Sequence, residues 1–582
     1  MAANGPLLGD GTRRSKGDQA RRYNLLAARL IAELVKNSLG PRGLEKMFID
    51  VMGEVTVTKD GATLLRKIDV EHPAAKVLIE ASNAVDNEVG DGTTSVVVLA
   101  GALVQKAEEL LDMGIAPSII SDGYLTGLDI ALEALDSISQ KYGNADRQAM
   151  QRLARTCLQS KALAYGGEGV AGLVVDAVCS IANFGGNSVD IDDIKIEEKE
   201  GSMLDAQLVR GIVIDKTIDS SAMPRAVEDA RIMLIDDELE GKRTRTDAEI
   251  RITSPDQIKS YSDSQTLMIK SKVQHIIDSG ANAVFSRKGI NTLAQHLLTR
   301  AGIISVRRVK ENDLVWLAKA TGATISEKLD HEHNDTGVVH SHDHHDSDHY
   351  HHADIDIKLG YAGRVFEKQV GDDKMVFVEG CKDPKAVTLL LRANSKRTLD
   401  ECHRSALDAI NVLRDFVVRP SVVAGGGAAE AAIARAVREK ASLISGREQI
   451  VIQKFAEALE EIPLTIARNA GMDVIDTLVQ LRSKHSNGKA STHGVDAIER
   501  KVQEMFPLVI EPAAVKEQVI KTAVEVTNLL VRVDDVLMAK PTMYTHTHAN
   551  GAKHSHAGGD REHQHDHFDR LGKQQRPMHH YY

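Results

Sequence analysis

The sequence lacks several features that mark common protein classes. Only four of its 582 residues are cysteines (Cys157, Cys179, Cys381 and Cys402), and none has the C-x-x-C spacing of a metal or redox site. This argues against a disulfide-stabilised secreted fold and indicates reduced thiols. No run of 18 apolar residues occurs and the N-terminus has no apolar signal core. We therefore expect no membrane partner and a cytoplasmic location.

Basic charge is also scarce. The formal net charge is -11, whereas nucleic-acid binding requires a basic face, so no nucleic-acid partner is expected. The chain has no Gly-x-x-x-x-Gly-Lys-Ser/Thr sequence, which excludes a P-loop nucleotidase. Aromatic residues make up 3% of the chain, with Trp316 the single tryptophan.

The sequence does contain three successive regions: a helical region, a region of alternating strands and helices, and a second helical region. A length of 582 residues predicts more than one domain. Helical periodicity begins at Asp18, and helices follow to about residue 185. Short strands and helices then alternate, including a helix with Pro255 at its first position. From Thr398 to about residue 537 the chain is predicted to be helical again, which indicates one helical domain built from both ends of the chain.

Three Gly-rich loops are candidates for holding a phosphate. Lys59-Asp60-Gly61 follows a predicted strand, Gly90–Ser95 opens one predicted helix and Gly425–Gly427 opens another. Glycines let backbone approach a bulky anion, and unpaired N–H groups at a helix start point towards it. Each loop could equally be an ordinary turn before a helix, so the residues alone indicate only a possible nucleotide site.

The loops taken together resemble the group II chaperonins, most closely those of the archaeal thermosome type. The resemblance runs from about residue 18 to 538 and is carried by several stretches in order: Asn37–Gly43, Val57–Thr63, Glu88–Ser95, Gly289–His296, Ala301–Val309, Ala320–Ala323, Val378–Lys382 and Gly425–Gly427.

The resemblance implies a multidomain α and α/β chaperonin fold. It has a discontinuous all-helical equatorial domain, a hinge-like intermediate domain, and an α/β apical domain with a built-in helical lid. The implied boundaries are a flexible N-terminus at 1–17, equatorial parts at 18–145 and 412–540, intermediate parts at 146–214 and 364–411, the apical domain at 215–363 with its protrusion near 244–278, and a disordered tail at 541–582.

The resemblance also implies ATP and Mg²⁺ as cofactors and assigns a role to particular residues. Asp91 would bind Mg²⁺, Asp60 and Asp408 would position and activate the attacking water, and Lys161 would sense the γ-phosphate. The remaining nucleotide contacts would be Leu39, Gly40, Pro41, Gly61, Gly90, Gly92, Thr93, Thr94, Ser95, Gly426, Gly427 and, at the ribose, Glu511. The implied partners are identical or paralogous subunits in two stacked rings of eight or nine, and unfolded protein substrates.

Two histidine-rich tracts depart from the family pattern. Of the 24 histidines, nine lie between His331 and His352 and nine between His546 and His580. Neutral imidazole is a common ligand for Zn²⁺, Ni²⁺ and Cu²⁺, although such a tract can also be a solvated spacer. The candidate transition-metal ligands are His340, His342, His344, His345, His349, His351 and His352.

Two alternatives to an ATP-hydrolysing foldase therefore stay open at this stage. One is a metal-binding protein with the chaperonin fold, which would depend on the histidine tracts. The other is a weakly hydrolysing structural subunit of a mixed ring. The presence of Asp60, Asp91 and Asp408 together argues against the second alternative.

Overall fold

A computed structural model provides the structure of the protein. It describes residues 13–50, 52–53, 55–159, 168–240, 255–327, 329, 358–382, 384–486, 492–538, 543–547 and 553–557. The chain divides into two compact units, one of residues 24–532 and a smaller one of residues 1–23 with 533–582. Among the residues described, no helix is long and apolar enough to cross a membrane.

The helices are numbered in chain order. They are α1 (Asp18–Lys36), α2 (Gly61–Lys67), α3 (Pro73–Val89), α4 (Thr93–Asp112), α5 (Pro117–Ile138), α6 (Arg147–Gln159), α7 (Glu168–Ile181), α8 (Pro255–Asp278), α9 (Thr292–Arg300), α10 (Glu311–Thr321), α11 (Lys396–Val418), α12 (Ala428–Ala441), α13 (Arg447–Leu459), α14 (Glu461–Asn469), α15 (Val474–His485) and α16 (Ala513–Arg532).

The strands are short and spread along the chain. They are β1 (Arg13–Lys16), β2 (Lys46–Ile49), β3 (Val55–Thr58), β4 (Gln140–Lys141), β5 (Ile194–Glu200), β6 (Gln207–Val209), β7 (Gly211–Ile214), β8 (Ala226–Ile235), β9 (Ala283–Ser286), β10 (Ile304–Val306), β11 (Ile325–Ser326), β12 (Gly360–Val370), β13 (Asp373–Glu379), β14 (Val387–Ala393), β15 (Ser421–Ala424), β16 (His493–Asp496), β17 (Lys501–Glu504), β18 (Ile510–Pro512), β19 (Asp535–Met538), β20 (Met543–Thr547) and β21 (Lys553–Ala557).

A large helical core is built from sequence-distant parts of the 24–532 unit. Leu25 and Val35 of α1, together with Leu99 of α4, pack in one cluster with Phe455 of α13 and Val524 of α16. Each of these helices is amphipathic or almost wholly apolar, so burial of the shared face stabilises them together. The predicted association of the two ends of the chain in one helical core is found in the structure.

The central part of the chain forms a mixed seven-stranded sheet. Its order is β10-β9-β8-β12-β13-β7, with β11 paired to β8. Strands β8, β9 and β10 run parallel, whereas β12 is antiparallel to both β8 and β13. Apolar residues of α8, α9 and α10 cover the sheet, so this part has its own core. The predicted strands at Arg231–Ile235 and Ala283–Phe285 are confirmed, and the predicted helix is present as α8 from Pro255 onward.

A third core joins α6, α7 and α11 to strand β14. It contains Leu153, Val174, Leu389 and Leu413. Strand β14 lies between β5, to which it is parallel, and β6, to which it is antiparallel. Helix α11 begins at the capping residue Ser395, whose hydroxyl accepts a hydrogen bond from the amide N–H of Thr398.

Three of the expectations about local structure are wrong. The predicted strand before Lys59 is confirmed as β3, but the two equatorial parts, implied to be all-helical, contain further strands, among them the β16–β17 hairpin and the sheet β18-β15-β4. The N-terminus was expected to be frayed, yet β1 pairs with β19, a partner more than 500 residues away that a local pattern does not reveal. In the tail, β20 and β21 form an antiparallel pair.

Candidate active site

The predicted loop residues meet at a cavity of about 380 Å³ in the 24–532 unit. The lining residues that had been predicted are Leu39, Gly40, Pro41, Asp91, Gly92, Ser95, Gly426, Gly427 and Glu511. An adjoining cavity of about 90 Å³ shares five of them and adds Asp60, Thr93 and Thr94. Five chain segments that are far apart in sequence therefore line the two adjoining cavities.

Two helices begin at this cavity without a side-chain cap. Gly92 precedes α4 with a φ of 83°, and Gly427 precedes α12 with a φ of 75°. This left-handed backbone favours glycine. A β-carbon on Gly92 would also lie 2.7 Å from Val519 Cγ2. Because glycine has no side-chain oxygen to cap the helix, N–H groups in the first turn of α4 can donate to another acceptor, such as a phosphate. At α12 the first N–H, that of Ala428, donates to the carbonyl of Gly425 at 3.2 Å, so only later N–H groups of that turn could do the same.

Two of the predicted carboxylates at the cavities, Asp60 and Asp91, are held by local hydrogen bonds. Asp60 Oδ2 accepts from the backbone N–H of Thr63 at 2.7 Å, and its Oδ1 accepts from Thr93 Oγ1 at 2.9 Å. Asp91 Oδ1 accepts from the N–H of Gly92 at 2.8 Å. Asp60 thus caps α2 and also joins the turn before α2 to the start of α4, so both phosphate-side turns are fixed relative to each other.

Two further predicted glycines pack beside the cavities. A β-carbon on Gly61 would lie 2.7 Å from Thr94 Oγ1. On Gly90 it would lie 2.4 Å from Asn411 Cβ of α11. The two loops therefore approach their neighbours more closely than any residue with a side chain would allow.

Asp408 lies on α11 but, among the residues described, it lines neither cavity. It stands one turn before Asn411, which packs on Gly90, and Arg414 of the same helix donates a hydrogen bond to the carbonyl of Glu88. Asp408 is therefore next to the phosphate-side loop without being part of its wall. Lys161 and the seven candidate histidines lie outside the described residues.

A buried ion cluster supports the opposite wall of the large cavity. Lys516 Nζ lies 2.8 Å from Glu430 Oε1 and also contacts Glu511. Burial raises the pKa of Glu511, and Glu430 and Asp91 raise it further, while Lys516 opposes the shift. Burial acts to lower the pKa of Lys516, but the two glutamates outweigh it and raise that pKa above its usual value. The cluster therefore places two carboxyl groups and one ammonium group beside the cavity.

Sequence reasoning missed several residues that line the large cavity. Arg155, Thr156 and Gln159 come from α6, while Asp496 and Met505 come from the β16–β17 region. Lys516 was also missed, since it sits inside an ordinary helical pattern. Only Gln159 had a local signal, because it lies next to the stretch that contains Lys161.

The donor set suits a magnesium–nucleotide complex. In the described part of the chain, no group of three or more His, Cys, Asp or Glu side chains could hold a metal ion alone. Mg²⁺ in nucleotide sites commonly takes only one or two protein carboxylates and completes its shell with phosphates and water. Asp91 beside the start of α4 matches that requirement.

Comparison with known proteins identifies relatives along nearly the whole chain. A model of the TCP-1/cpn60 chaperonin family matches residues 31–541. The thermosome subunit alpha of Archaeoglobus fulgidus is 45% identical over 538 residues, which is 92% of this chain and 94% of the relative. The thermosome subunit of Pyrococcus abyssi is 44% identical with the same coverage. The resemblance seen in the sequence is thereby confirmed.

Proposed function

The chain belongs to the TCP-1/cpn60 chaperonin family, and we propose that it hydrolyses ATP as one subunit of a ring that folds other proteins. It is a chaperone of the group II type, built as a multidomain chain of mixed helix and sheet. The metal-binding alternative has no support from the family match or from the names of the relatives.

One observation carries the ATP proposal. Two helices, α4 and α12, begin at uncapped glycines on the same cavity, and Asp91 lies at one of these starts. Helix starts attract phosphate, and an adjacent carboxylate suits the Mg²⁺ that accompanies it. The cavity also has an apolar side, with Ile466 and Val495, that would suit the nucleoside.

The hydrolytic roles follow from charge and position. Bound Mg²⁺ would neutralise phosphate charge. Asp91 would hold the ion, and the N–H groups in the first turn of α4, from Thr93 onward, would orient the phosphate oxygens. Asp60, fixed by Thr63 and Thr93, would orient water near the terminal phosphate. Phosphoryl transfer depends on positioning and charge stabilisation more than on covalent catalysis, so groups of this kind suit the chemistry.

Asp408 would complete this site as the group that accepts a proton from the attacking water. Its helix α11 belongs to the third core, whereas Asp60 and Asp91 border the large helical core. A movement between these two cores would therefore change the distance from Asp408 to the water. Such a movement would link domain closure to hydrolysis.

The three cores support the domain layout that the family resemblance implied. The large helical core would be the equatorial domain, the third core the intermediate domain, and the seven-stranded sheet with its helices the apical domain. The lid proposed near 244–278 would include the start of α8, while residues 241–254 lie outside the described part of the chain.

Exposed apolar residues support assembly with other subunits. The β2–β3 hairpin and its surroundings expose Leu44, Met47, Ile49 and Met52, with Met52 92% exposed. A cluster of this kind is typical of an interaction surface. We propose that it packs against a neighbouring subunit in the ring. The stoichiometry of eight or nine and the cytoplasmic location remain predictions.

A groove between α8 and α9 is the candidate surface for unfolded clients. Its volume is about 390 Å³, and it combines apolar residues such as Ile277 and Leu297 with the basic side chains of Lys270 and Arg300. A non-native chain exposes apolar side chains and unpaired backbone groups, and this mixture could contact both.

The proposal is tested by measuring Mg-ATP hydrolysis by purified double rings of the wild type and of Asp408→Ala. Removing a group that handles a proton in the transition state should lower kcat by about 100-fold or more. Asp400→Ala, which removes another carboxylate from the same helix, is the matched control and should hydrolyse ATP at the wild-type rate. Electron microscopy should show intact rings for all three proteins.

Rings of the wild type that barely hydrolyse ATP would refute the proposal and favour the structural-subunit alternative. If wild-type rings are active and Asp408→Ala is equally active, the hydrolytic role of Asp408 is refuted, while ATP hydrolysis itself stands.

A further inference from the structure

A chain of hydrogen bonds joins α11 to the turn that carries Asp60. The backbone N–H of Asp60 donates to Thr58 Oγ1 at 3.1 Å, and the Thr58 hydroxyl donates to Glu401 Oε2 of α11 at 3.2 Å. Arg404 fixes the same carboxylate oxygen through its Nη2 at 2.7 Å and its Nε at 3.2 Å. The path thus runs from Asp60 through Thr58 and Glu401 to Arg404.

These contacts are shielded from water. Thr58 is 3% exposed, and the Glu401 side chain keeps 13% of its surface accessible. A hydrogen bond to a charged acceptor is stronger than a neutral one, and it is stronger still when partly buried. The contact between Thr58 and Glu401 therefore differs from the exposed ion pairs found elsewhere on the surface, which contribute little.

The position of Glu401 on α11 gives the contact its significance. Glu401 and Asp408 are seven residues apart, close to two helical turns, so they lie on the same face of α11. One turn beyond Asp408, Asn411 packs on Gly90 of the other phosphate-side loop. The helix thus touches both loops, at Glu401 and at Asn411, and Asp408 stands between these two contacts.

We propose that Glu401 is a positioning residue for hydrolysis, which acts through Thr58 to set the Asp60 turn relative to Asp408. When α11 is seated, the Glu401–Thr58 contact fixes the distance between the two carboxylates that would handle the water. When α11 moves away, the contact opens and the Asp60 turn loses this restraint. This inference rests on the proposed ATP hydrolysis.

The test is steady-state ATP hydrolysis by intact rings of Glu401→Ala. Misplacement of reacting groups by about 1 Å can cost about 100-fold, so we expect kcat to fall between about 10- and 100-fold while KM for ATP stays within about twofold. Thr58→Val should give a similar loss, and Thr58→Ser, which keeps the hydroxyl, should restore most of the rate. Asp400→Ala is the control for loss of a carboxylate on α11.

A double variant separates positioning from a general loss of structure. If Glu401 acts through Thr58, then Thr58→Val combined with Glu401→Ala should be no slower than the slower single variant. Additive losses, a rise in KM with unchanged kcat, or a wild-type rate in Glu401→Ala would each overturn the inference. If wild-type rings do not hydrolyse ATP at all, the proposed function has failed instead. The wild-type rate, measured in the same assay, identifies that case directly.

Discussion

Replacement of Lys516 by methionine should strongly destabilise the protein, because Lys516 is the buried cation between two glutamates. Glu430 is 2% exposed, and its Oε2 has no hydrogen-bond partner within the described residues. Loss of one partner from a buried pair leaves an uncompensated charge and typically costs about 3–5 kcal/mol. Methionine keeps the length and most of the packing of lysine, so the change isolates the charge.

Lys521→Met is the matched control on the same helix. Lys521 Nζ lies 2.6 Å from Glu517 Oε1, but 44% of the lysine side chain is exposed, and surface pairs contribute only about 0–1 kcal/mol. The two variants therefore remove the same side chain from one helix in two environments. Guanidinium unfolding at one fixed protein concentration compares them, since the stability of an assembly depends on concentration.

The pH dependence provides a second check on Lys516→Met. Without the lysine, Glu511 loses the charge that lowers its pKa, so its folded-state pKa lies further above the unfolded one. A carboxyl with a raised folded pKa destabilises the fold above that pKa, and the penalty disappears as pH falls and the group takes up a proton. The free energy of unfolding that Lys516→Met loses relative to the wild type should thus shrink from pH 8 towards pH 5. A loss no larger than that of Lys521→Met, or one that grows on acidification, would refute the reasoning.

Three further changes should have defined effects. Burial raises the pKa of Asp415 to about 6, although Arg414 opposes the shift. Lowering the pH from 7 to 4 should therefore stabilise the wild type relative to Asp415→Asn in unfolding experiments. A difference in free energy of unfolding that does not change with pH would contradict this. Gly92→Ala should lower stability and ATP affinity more than Gly114→Ala does. Both glycines have a positive φ, but only at Gly92 would a β-carbon meet a neighbouring side chain. Equal effects of the two substitutions in thermal denaturation and nucleotide titration would show that backbone strain alone accounts for the loss. Asp313→Asn should destabilise the fold and shift the fluorescence of Trp316. Asp313 Oδ1 lies 2.6 Å from Nζ of the buried Lys195, and that ammonium group packs over the Trp316 indole. Unchanged emission of Trp316 would argue against this coupling.

Much of the fold was predictable because its signals are local. The uncapped glycine starts of α4 and α12, the Pro255 start of α8 and the buried strand at Arg231–Ile235 each follow from residues within a few positions of one another. The meeting of the Gly-rich loops was predictable only through the family resemblance. Nothing in the local sequence indicates that Pro41 and Glu511 line one cavity.

The features that were missed depend on contacts between distant residues. Strand β1 exists because it pairs with β19, and the β16–β17 hairpin is short enough to be hidden between helices. Lys516 and Glu401 look like ordinary helical charges in the sequence, and only the fold reveals their partners Glu430 and Thr58. Sequence periodicity therefore located most helices and strands. The residues that support the site could be identified only once the packing of those elements was known.

The central claim is that these rings use ATP to fold other proteins, and recovery of a chemically denatured reporter enzyme tests it most directly. Intact rings with Mg²⁺ and ATP should restore the activity of the reporter, whereas Asp408→Ala rings should bind the reporter and release little active enzyme. Recovery that is equal with and without ATP, or absent in wild-type rings that hydrolyse ATP, would contradict the account.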